Sequence, residues 1–457
     1  GDVLIVTLTK DKYVNKGPGR PVFNQRLRAE SIAALQCVDY VAINEWPAAT
    51  NAIKKLKPDV YAKGSDYSDS KKDLTGEIRN EESAVRSAGG RIYFTDDITF
   101  SSTKLLNTHF SVYPEETDEY LRDFREKYTA DQVIKYLKDL SRMKVLVIGD
   151  AIIDEYHYCK AMGKASKENI IPNRFLREET FAGGALATAN HIAGFCRDVQ
   201  LVTCLGSQNS YESFIKSRLK PNIKTKFFLR EDAPTTVKRR FIEDAFLSKL
   251  FEVCFLDDRP LPEKLESKLH TYLKGIIKNF DLVLVGDFGH GFIEKNTVEF
   301  LARKANFLAV NAQTNSANAG FNLITKYPRA DYICIDEPEM RLATHGKFDN
   351  IENLITGIAK QVKYKKIIVT LGHKGSIGYS PKEGFSRAPV FSKEIVDRMG
   401  AGDAFISVTA PCSAAGYPMD VIGFIGNAVG AMKVLIVGNR SSVEPVPLFK
   451  FISTLLK

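Results

Sequence analysis

Hydrophobic and polar positions follow two alternating patterns over the first third of the chain. Short apolar runs, which favour strands, are followed by longer segments with apolar side chains at helical spacing. The predicted strands are 2–8, 40–44 and 60–62, and the predicted helices are 24–37 and 48–56. This order predicts a parallel sheet with crossover helices.

The segment from 111 to 142 has a different character. Acidic and basic residues crowd it, while its apolar residues recur at helical spacing. We interpret it as a charged helical linker. It separates a first domain over 1–110 from a second over 143–457.

Apolar runs of strand length return after residue 143. They include 144–149, 281–286, 307–311, 332–336 and 367–371, and polar residues follow each of them, among them Asn311 and Gln313. A further extended segment, 393–396, leads to a helix predicted from 404 to 410. The chain is therefore expected to be a two-domain α/β protein.

Length and composition support this division. The chain has 457 residues, too many for one core, with 44% hydrophobic and 26% charged residues. It has no apolar run of the roughly 18 residues that a membrane span needs, and no signal peptide pattern. Gly1 leads directly into a strand pattern, so we expect the sequence to be incomplete at its start.

The seven cysteines are scattered, with no C-x-x-C pair, which favours reduced thiols and a cytoplasmic location. The net charge of +9 suits anionic ligands. Its basic residues are dispersed, so nucleic acid stays a minor alternative partner. Neither Gly163-Lys164 nor Gly346-Lys347 is followed by Ser or Thr, so the P-loop motif is absent.

The stretch 397–405, with the sequence D-R-M-G-A-G-D-A-F, places glycines where an extended segment turns into a helix. Free backbone N–H groups and the helix dipole make such a turn a seat for an anion. Asp403 could then accept the proton of a hydroxyl that attacks a phosphoryl group. The alternative is an ordinary glycine turn with Asp403 as a helix-start carboxylate.

This stretch resembles the second signature of the ribokinase-like (PfkB) sugar kinases, D-T-x-G-A-G-D, with Arg398 in place of Thr. The resemblance implies a ribokinase-like α/β/α sandwich. It also implies that Asp403 is the catalytic base and that Gly400, Ala401 and Gly402 form the anion hole.

The sugar side of the same resemblance rests on three stretches. D-A-I-I-D resembles the opening strand end, F-A-G-G-A-L-A-T-A-N-H the first signature, and T-T-V-K-R-R-F a segment of heptose-phosphate kinases. Ala187 stands where the family usually has Asn. The implied sugar-binding residues are Asp154, Gly183, Gly184, Asn190, Lys238 and Arg240. Without the resemblance, Lys238 and Arg240 read equally well as solvated charges on a strand.

The nucleotide side rests on D-E-P-E, which resembles N-x-x-E, and on V-T-L-G-H-K-G, which resembles V-T-L-G-x-x-G. The implied ATP-binding residues are Asn311, Glu339, Thr370, Gly372, Gly375 and Asn427. Glu339 is expected to hold Mg²⁺ through water, because this cation keeps much of its hydration shell.

The first domain resembles the cytidylyltransferase-like half of the ADP-heptose synthases, a smaller Rossmann-like fold. The match includes G-D-V-L-I-V, K-G-P-G-R-P and P-D-V-Y-A-K-G-S-D-Y, but the family's H-x-G-H motif is absent. The implied nucleotide-binding residues are Lys16, Arg20, Arg26, Lys63, Ser102 and Thr103. Each loop taken alone also fits a solvated loop.

Together the resemblances imply an ATP-dependent, Mg²⁺-requiring kinase for a sugar or sugar phosphate, with the domain order of ADP-heptose synthases inverted. The implied acceptor is D-glycero-D-manno-heptose 7-phosphate at its anomeric hydroxyl, and a linked nucleotidyltransferase would use the product. A purely nucleotide-sensing first domain is the alternative. Segment 155–180 is a candidate lid. No membrane partner is expected, and a homodimer is among the assemblies left open.

Overall fold

The computed structural model describes residues 3–14, 16–64, 67, 73, 75–95 and 113–457. The chain divides into two compact units, Gly1–Asp131 with Pro445–Lys457 and Gln132–Glu444. The sequence analysis had assigned 445–457 to the second domain, whereas the contacts place these residues with the first unit. Compact units are not the same as functional domains, so the domain limits stay a prediction.

One parallel sheet was predicted for the first unit, and its described residues form two separate two-stranded parallel sheets. Strand β1 pairs in parallel with β2, and β3 pairs in parallel with β4. A small core of Ile53, Ala84 and Val85 forms beside them. The elements are β1 (Ile5–Thr9), β2 (Tyr40–Asn44), β3 (Val60–Gly64), β4 (Arg91–Thr95), α1 (Gln25–Ala33), α2 (Thr50–Leu56) and α3 (Ile78–Ser87). The last strand and the last helix were not predicted.

The charged segment between the two predicted domains is helical, as expected. It forms α4 (Glu115–Lys127) and α5 (Ala130–Asp139). Within the first unit, Arg125 of α4 donates through Nη2 to the carbonyl oxygen of Leu455, at 2.7 Å. This bond ties α4 to α14 (Pro445–Leu455), the last helix.

A nine-stranded sheet forms the centre of the second unit. Its order is β17-β16-β15-β14-β13-β12-β5-β8-β9, parallel from β9 to β15 and antiparallel beyond. The strands are β5 (Lys144–Gly149), β8 (Asp198–Gln208), β9 (Ile223–Pro234), β12 (Leu282–Asp287), β13 (Leu308–Ala312), β14 (Tyr332–Asp336), β15 (Lys366–Thr370), β16 (Ser376–Ser380) and β17 (Gly384–Ala388).

Helices cover this sheet on both faces. Alternate residues of a strand are therefore buried on opposite sides of the sheet. Val283 and Val285 of β12 belong to one large cluster, while Leu284, which points the other way, is also fully buried. The helices are α6 (Ala185–Phe195), α7 (Glu212–Arg218), α8 (Glu263–Ile276), α9 (Lys295–Lys304), α10 (Glu337–Thr344), α11 (Ile351–Gly357), α12 (Ala401–Ala414) and α13 (Met419–Lys433). This arrangement is an α/β sandwich.

A second, four-stranded sheet has the order β11-β10-β6-β7. Its strands are β6 (Ala151–Ala161), β7 (Asn173–Gly184), β10 (Thr236–Glu243) and β11 (Ser248–Phe255). The candidate lid 155–180 falls within β6, β7 and the loop that joins them. The long antiparallel pair β6 and β7 therefore accounts for most of that segment, and its role as a lid stays a prediction.

In the part of the chain that the structure describes, no helix is long and apolar enough to cross a membrane. All seven cysteines are free thiols.

Candidate active site

Helix α12 begins at the glycine turn singled out in the sequence. Gly400 caps it with a φ of 73°, a left-handed conformation that favours glycine. A Cβ on Gly400 would lie 2.6 Å from Asn439 Oδ1, so a side chain has no room there. The predicted helix over 404–410 is confirmed and extends from Ala401 to Ala414. The predicted extended segment before it forms no strand in the described residues 389–400.

The first turn of α12 offers backbone donors to an anion. The first N–H groups of an α-helix have no partner within the helix, and the helix dipole is positive at this end. The N–H of Ala401 donates to the carbonyl oxygen of Arg398 at 3.3 Å. The N–H groups of Gly402 and Asp403 are left to bind an anion. A Cβ on Gly402 would meet no atom within 4 Å, so the space in front of the turn is open.

Asp403 is buried in this first turn. Its Oδ1 accepts a hydrogen bond from Gln313 Nε2 at 2.8 Å, and the same nitrogen donates to Asn311 Oδ1 at 2.7 Å. Burial raises the pKa of Asp403 to about 6, the charge of Asp154 adds to the shift, and the Gln313 bond opposes it. The carboxylate is therefore ionised at neutral pH yet is a better proton acceptor than an exposed aspartate.

Strands β6 and β10 bring a second group of polar residues into this site. Asp154 and Lys238 are register partners on these strands. Asp154 Oδ1 accepts a hydrogen bond from Arg240 Nη1, and Arg240 Nε lies 2.7 Å from Glu252 Oε2. The Lys238 side chain is largely buried, and its ammonium group forms no hydrogen bond or ion pair with any described residue. Its charge lowers the pKa of Asp403, which places the two side chains within electrostatic reach.

The glycine pair that ends β7 lies against Asp154. A Cβ on Gly183 would lie 2.0 Å from Asp154 Oδ2. Gly184 caps α6 with a φ of 59°, and a Cβ there would lie 2.5 Å from the carbonyl oxygen of Asp150. Both positions therefore require glycine, and the backbone closely approaches the Asp154 carboxylate.

Asn190, on the same helix, is engaged elsewhere. Its Nδ2 donates to the carbonyl oxygen of Arg218, and its Oδ1 accepts from the N–H of Lys220, both at 3.0 Å. Its neighbour His191 is buried and accepts a hydrogen bond from the N–H of Val443. Neither residue is left with an obvious contact for a sugar.

Asp397, the first aspartate of the signature stretch, has an anchoring role that the sequence analysis did not identify. It accepts hydrogen bonds from Tyr156 Oη at 2.7 Å, Lys249 Nζ at 3.0 Å and the N–H of Gly438 at 2.8 Å. Although burial raises its pKa, these bonds and one from the N–H of Met399 hold it at about 2. Asp397 thus joins β6 and β11 to the segment that leads into α12.

Lys433, at the end of α13, was also missed. Its Nζ donates to the carbonyl oxygens of Met399 and Gly438, at 2.6 and 2.7 Å. Burial lowers the pKa of this lysine to about 8, while Asp397 and Asp403 oppose the shift. Lys433 is therefore a cation held directly behind the glycine turn, and nothing in its sequence context distinguishes it from an ordinary helical lysine.

Glu339 and Asp336 form a capping box at the start of α10. Asp336 accepts from the N–H of Glu339, and Glu339 Oε2 accepts from the N–H of Asp336, both at 2.8 Å. The N–H of Thr314 donates to Glu339 Oε1 at 3.1 Å. Burial and then the charge of Asp336 raise the pKa of Glu339 to about 8, and Asp403 contributes. Asp336 is thus the N-cap of α10, and its charge also acts on Glu339.

A Mg²⁺ site fits these residues only in a water-mediated form. No three His, Cys, Asp or Glu side chains converge as a metal site among the described residues. Both oxygens of Glu339 accept backbone hydrogen bonds, and the charge of Asp403 acts on this carboxylate. A hydrated cation near Glu339 would relieve the repulsion between the two acids, as Mg²⁺ with several retained waters can.

Of the remaining residues predicted to bind ATP, four lie at or beside strand ends and one lies on a helix. Asn311 lies on β13 and donates to the carbonyl oxygen of Cys334. Thr370 ends β15, and Gly372 and Gly375 follow it with positive φ values of 61° and 87°. Asn427 on α13 donates to Ser376 Oγ at 2.7 Å. Gly372 has open space at its Cβ position, whereas Gly375 is packed against the carbonyl oxygen of Ala388.

The first unit shows no comparable convergence among its described residues. Arg26 pairs with Glu30 and Lys63 with Glu81. Burial lowers the pKa of Lys16, and the nearby cations Lys457, Arg20, Lys450 and Arg28 add to the shift. Ser102 and Thr103, two of the residues predicted to bind nucleotide, lie outside the described residues.

Comparison with known proteins identifies related sequences over the second unit. Residues 142–445, more than half of the chain, match the model of the pfkB family carbohydrate kinases. The bifunctional protein HldE of Campylobacter jejuni is 26% identical over 317 residues, which are 68% of this chain and 65% of that protein. HldE of Haemophilus influenzae is 28% identical over 323 residues, 69% of this chain and 64% of that protein. The match thus spans less than two thirds of either relative.

Solved structures show the same fold. Ribokinase from Thermotoga maritima has a TM-score of 0.53 at 19% identity, covering 67% of this chain and 99% of that one. Phosphofructokinase-2 from Escherichia coli has a TM-score of 0.55 at 14% identity, covering 69% and 100%. The second unit is therefore ribokinase-like, while the fold of the first is not identified by these relatives. The chain belongs to the pfkB family of carbohydrate kinases, enzymes that use ATP to phosphorylate sugars.

Proposed function

We propose that the acceptor of this kinase is a sugar that already carries a phosphate, and that Asp403 is its catalytic base. The observation that carries the proposal is the position of Asp403 in the first turn of α12. There it lies beside open backbone donors and within electrostatic reach of Asp154 and Lys238. One end of the site fits a transferred phosphoryl group, and the other fits an acceptor.

The transfer step needs a base and a stabilised phosphoryl group. Asp403 accepts the proton of the acceptor hydroxyl as that oxygen forms a bond to the γ-phosphorus of ATP. The bond between this phosphorus and the β,γ-bridging oxygen breaks, and ADP leaves with the electron pair. The hydrogen bond from Gln313 fixes the carboxylate for this proton transfer.

The turn Gly400-Ala401-Gly402 stabilises the charge that is transferred. Its backbone N–H groups and the helix dipole face the migrating phosphoryl oxygens, and Lys433 supports the turn from behind through the carbonyl oxygen of Met399. Glu339 would hold Mg²⁺ through water, and this cation would neutralise charge on the β- and γ-phosphates. Asn311, Thr370, Gly372, Gly375 and Asn427 are proposed to border the nucleotide.

Lys238 is the proposed ligand of the phosphate already present on the acceptor. The Lys238 side chain is largely buried and its ammonium group has no ion pair among the described residues, so it is expected to meet an anion when the site is filled. Arg240 is less suited, because its guanidinium group is already bound to Asp154 and Glu252. Asp154, fixed by that arginine, and Gly183 are left to orient acceptor hydroxyls.

The acceptor proposed by resemblance is D-glycero-D-manno-heptose 7-phosphate, phosphorylated at its anomeric hydroxyl. The similarity to proteins named HldE supports this choice over a hexose or pentose phosphate. We further propose that the first unit binds a nucleotide, either for a linked nucleotidyltransferase reaction or as a regulatory module. The cations around Lys16 favour nucleotide binding in both cases.

A coupled assay of ADP release tests the proposal. Heptose, hexose and pentose phosphates are compared with the corresponding free sugars, and Asp403→Asn is the control. We expect phosphorylated acceptors to have the highest kcat/KM and the variant to lose about 10³-fold in kcat on all of them. A preference for free sugars, or full turnover without this carboxylate, would overturn the proposal.

A further inference from the structure

The loop 288–292 brings an unexplained histidine beside the acceptor site. His290 is only 6% exposed, and neither Nδ1 nor Nε2 has a hydrogen-bond partner among the described residues. A buried polar atom without a hydrogen-bond partner is unfavourable, because it has lost its contact with water and gained nothing in return. A histidine retained in this state calls for a partner that the described residues do not provide.

The loop holds His290 in one position. Gly289 and Gly291 have φ values of 66° and 80°, and a Cβ on either would lie 2.2 Å from an atom of the surrounding structure. The N–H of Phe288 donates to Asp150 Oδ2 at 2.9 Å, and its carbonyl oxygen accepts from Asn318 Nδ2 at 2.7 Å. The imidazole is therefore presented by a rigid backbone and not by a loose loop.

His290 lines a small cavity together with residues of four strands, β6, β8, β9 and β10. The cavity has a volume of about 30 Å³, and Asp150, Thr236 and Arg230 contribute to its wall. A single water molecule needs roughly 10–15 Å³ of such volume, so one or two hydroxyl groups would fit. Thr236 in the cavity wall lies two residues before Lys238 on β10. The charge of Lys238 also lowers the pKa of His290, so the two side chains are within electrostatic reach.

The chemistry of this wall suits uncharged hydroxyls better than a phosphate. The guanidinium group of Arg230 is already bound to Asp232, Asp257 and the carbonyl oxygen of Arg259. Burial lowers the pKa of His290 to about 3, so the ring is neutral and has one donor and one acceptor. A carbohydrate hydroxyl can use both, whereas a phosphate finds no free cation in the described part of this wall.

We infer that His290 and its cavity form a subsite that binds a non-reacting hydroxyl of the acceptor, while Lys238 holds the phosphate. This inference rests on the proposed function and adds a second specificity determinant to it. A polyol bound by Lys238 with its reacting hydroxyl at Asp403 would extend a further hydroxyl to the imidazole. The subsite therefore distinguishes acceptors of equal charge by their hydroxyl pattern.

The test compares His290→Leu, His290→Asn and Lys238→Met in the full chain, with His270→Leu as a matched loss of an imidazole outside the site. His270 lies on α8 and contacts Thr297, not the acceptor residues. Each variant is assayed with heptose 7-phosphate, its monodeoxy analogues and the free heptose. Thermal melts check that each variant is folded.

We expect His290→Leu to raise the KM for heptose 7-phosphate about tenfold and to abolish discrimination against one monodeoxy analogue, with the KM for ATP unchanged. His290→Asn, which keeps a donor and an acceptor, should retain most of that discrimination. Lys238→Met should instead lose the preference for the phosphorylated over the free sugar.

The outcomes separate the two proposals. If His290→Leu keeps wild-type turnover and has the same KM for the acceptor as His270→Leu, the subsite alone is overturned. The cavity would then hold only water. A wild-type enzyme that ignores every sugar phosphate, or an active Asp403→Asn, would overturn the proposed function and the subsite with it.

Discussion

Two carboxylates at the ends of one short segment, Asp397 and Asp403, experience opposite environments. Asp397 receives four hydrogen bonds, from Tyr156, Lys249 and two backbone N–H groups, and its pKa falls to about 2. Asp403 accepts one side-chain hydrogen bond, from Gln313, and burial raises its pKa to about 6. The same residue type therefore acts as an anchor at one end and is suited to be a base at the other.

The difference teaches how the site is organised. Hydrogen bonds to a carboxylate stabilise its charge and suppress its basicity, whereas burial without such bonds preserves basicity at a cost in stability. The two carboxylates lie six positions apart along the chain, and the glycine turn lies between them. The predictions below test this contrast, from the largest expected effect to the smallest.

Replacing the proposed base should separate activity from stability. We expect Asp403→Asn to lower kcat by about 10³-fold, because a positioned base contributes about 10²–10⁴-fold. The folded state holds the Asp403 proton more tightly than the unfolded state, so ionisation destabilises the fold as pH rises from about 4 to about 6. The variant should therefore gain on the order of 1–3 kcal/mol in free energy of unfolding at pH 7.5, measured by urea titration.

Replacing the anchor should have the reverse effect on stability. Asp397 favours the folded state above its unfolded pKa, and this contribution is lost as pH falls towards about 2. We expect Asp397→Asn to lower the free energy of unfolding by about 2–4 kcal/mol at pH 7.5. A variant as stable as the wild type in urea would contradict the anchoring role.

The two glycines of the turn should also respond differently. Gly400→Ala forces a side chain into a left-handed turn against Asn439, so we expect a loss of about 1–2 kcal/mol in stability together with lower activity. Gly402→Ala should fold normally but place its methyl group where the phosphoryl group must lie. We expect its kcat to fall about tenfold or more with an unchanged melting temperature.

The pH profile gives the smallest effect. Because the base must be ionised, kcat/KM should fall tenfold per pH unit below about pH 6 and level off above it. Lys238 lowers the pKa of Asp403, so Lys238→Met should move this midpoint upward by a few tenths of a pH unit. A midpoint that stays fixed or moves downward would show that the two groups do not interact.

The sequence allowed much of the second unit to be predicted, because buried parallel strands are nearly continuous apolar runs and their polar ends gather at one edge. The strand ending before Asp150 and the helix after Gly400 were both recognisable. The first unit was harder: a single parallel sheet was predicted, whereas β1 pairs with β2 and β3 with β4 in separate sheets, and α3 and β4 were missed. Short, half-exposed elements carry weaker periodicity.

The site could be predicted only where a local motif carried it. Lys433 lies 34 residues from the carbonyl oxygen it binds at Met399, so no spacing rule links them. The cavity beside His290 is lined by strands from distant parts of the chain. The Asn190 side chain donates to the carbonyl oxygen of Arg218, 28 positions away. Such contacts arise from tertiary packing, which a single sequence does not encode in any local pattern.

The hydrogen bond from Tyr156 to Asp397 joins residues 241 positions apart. Contacts with so large a sequence separation form late, since a long stretch of chain must first be ordered to close the loop. During synthesis, the Tyr156 hydroxyl on β6 cannot donate to Asp397 until residue 397 has been made. A chain stalled or truncated before that residue would therefore lack this anchor and would be unable to transfer a phosphoryl group.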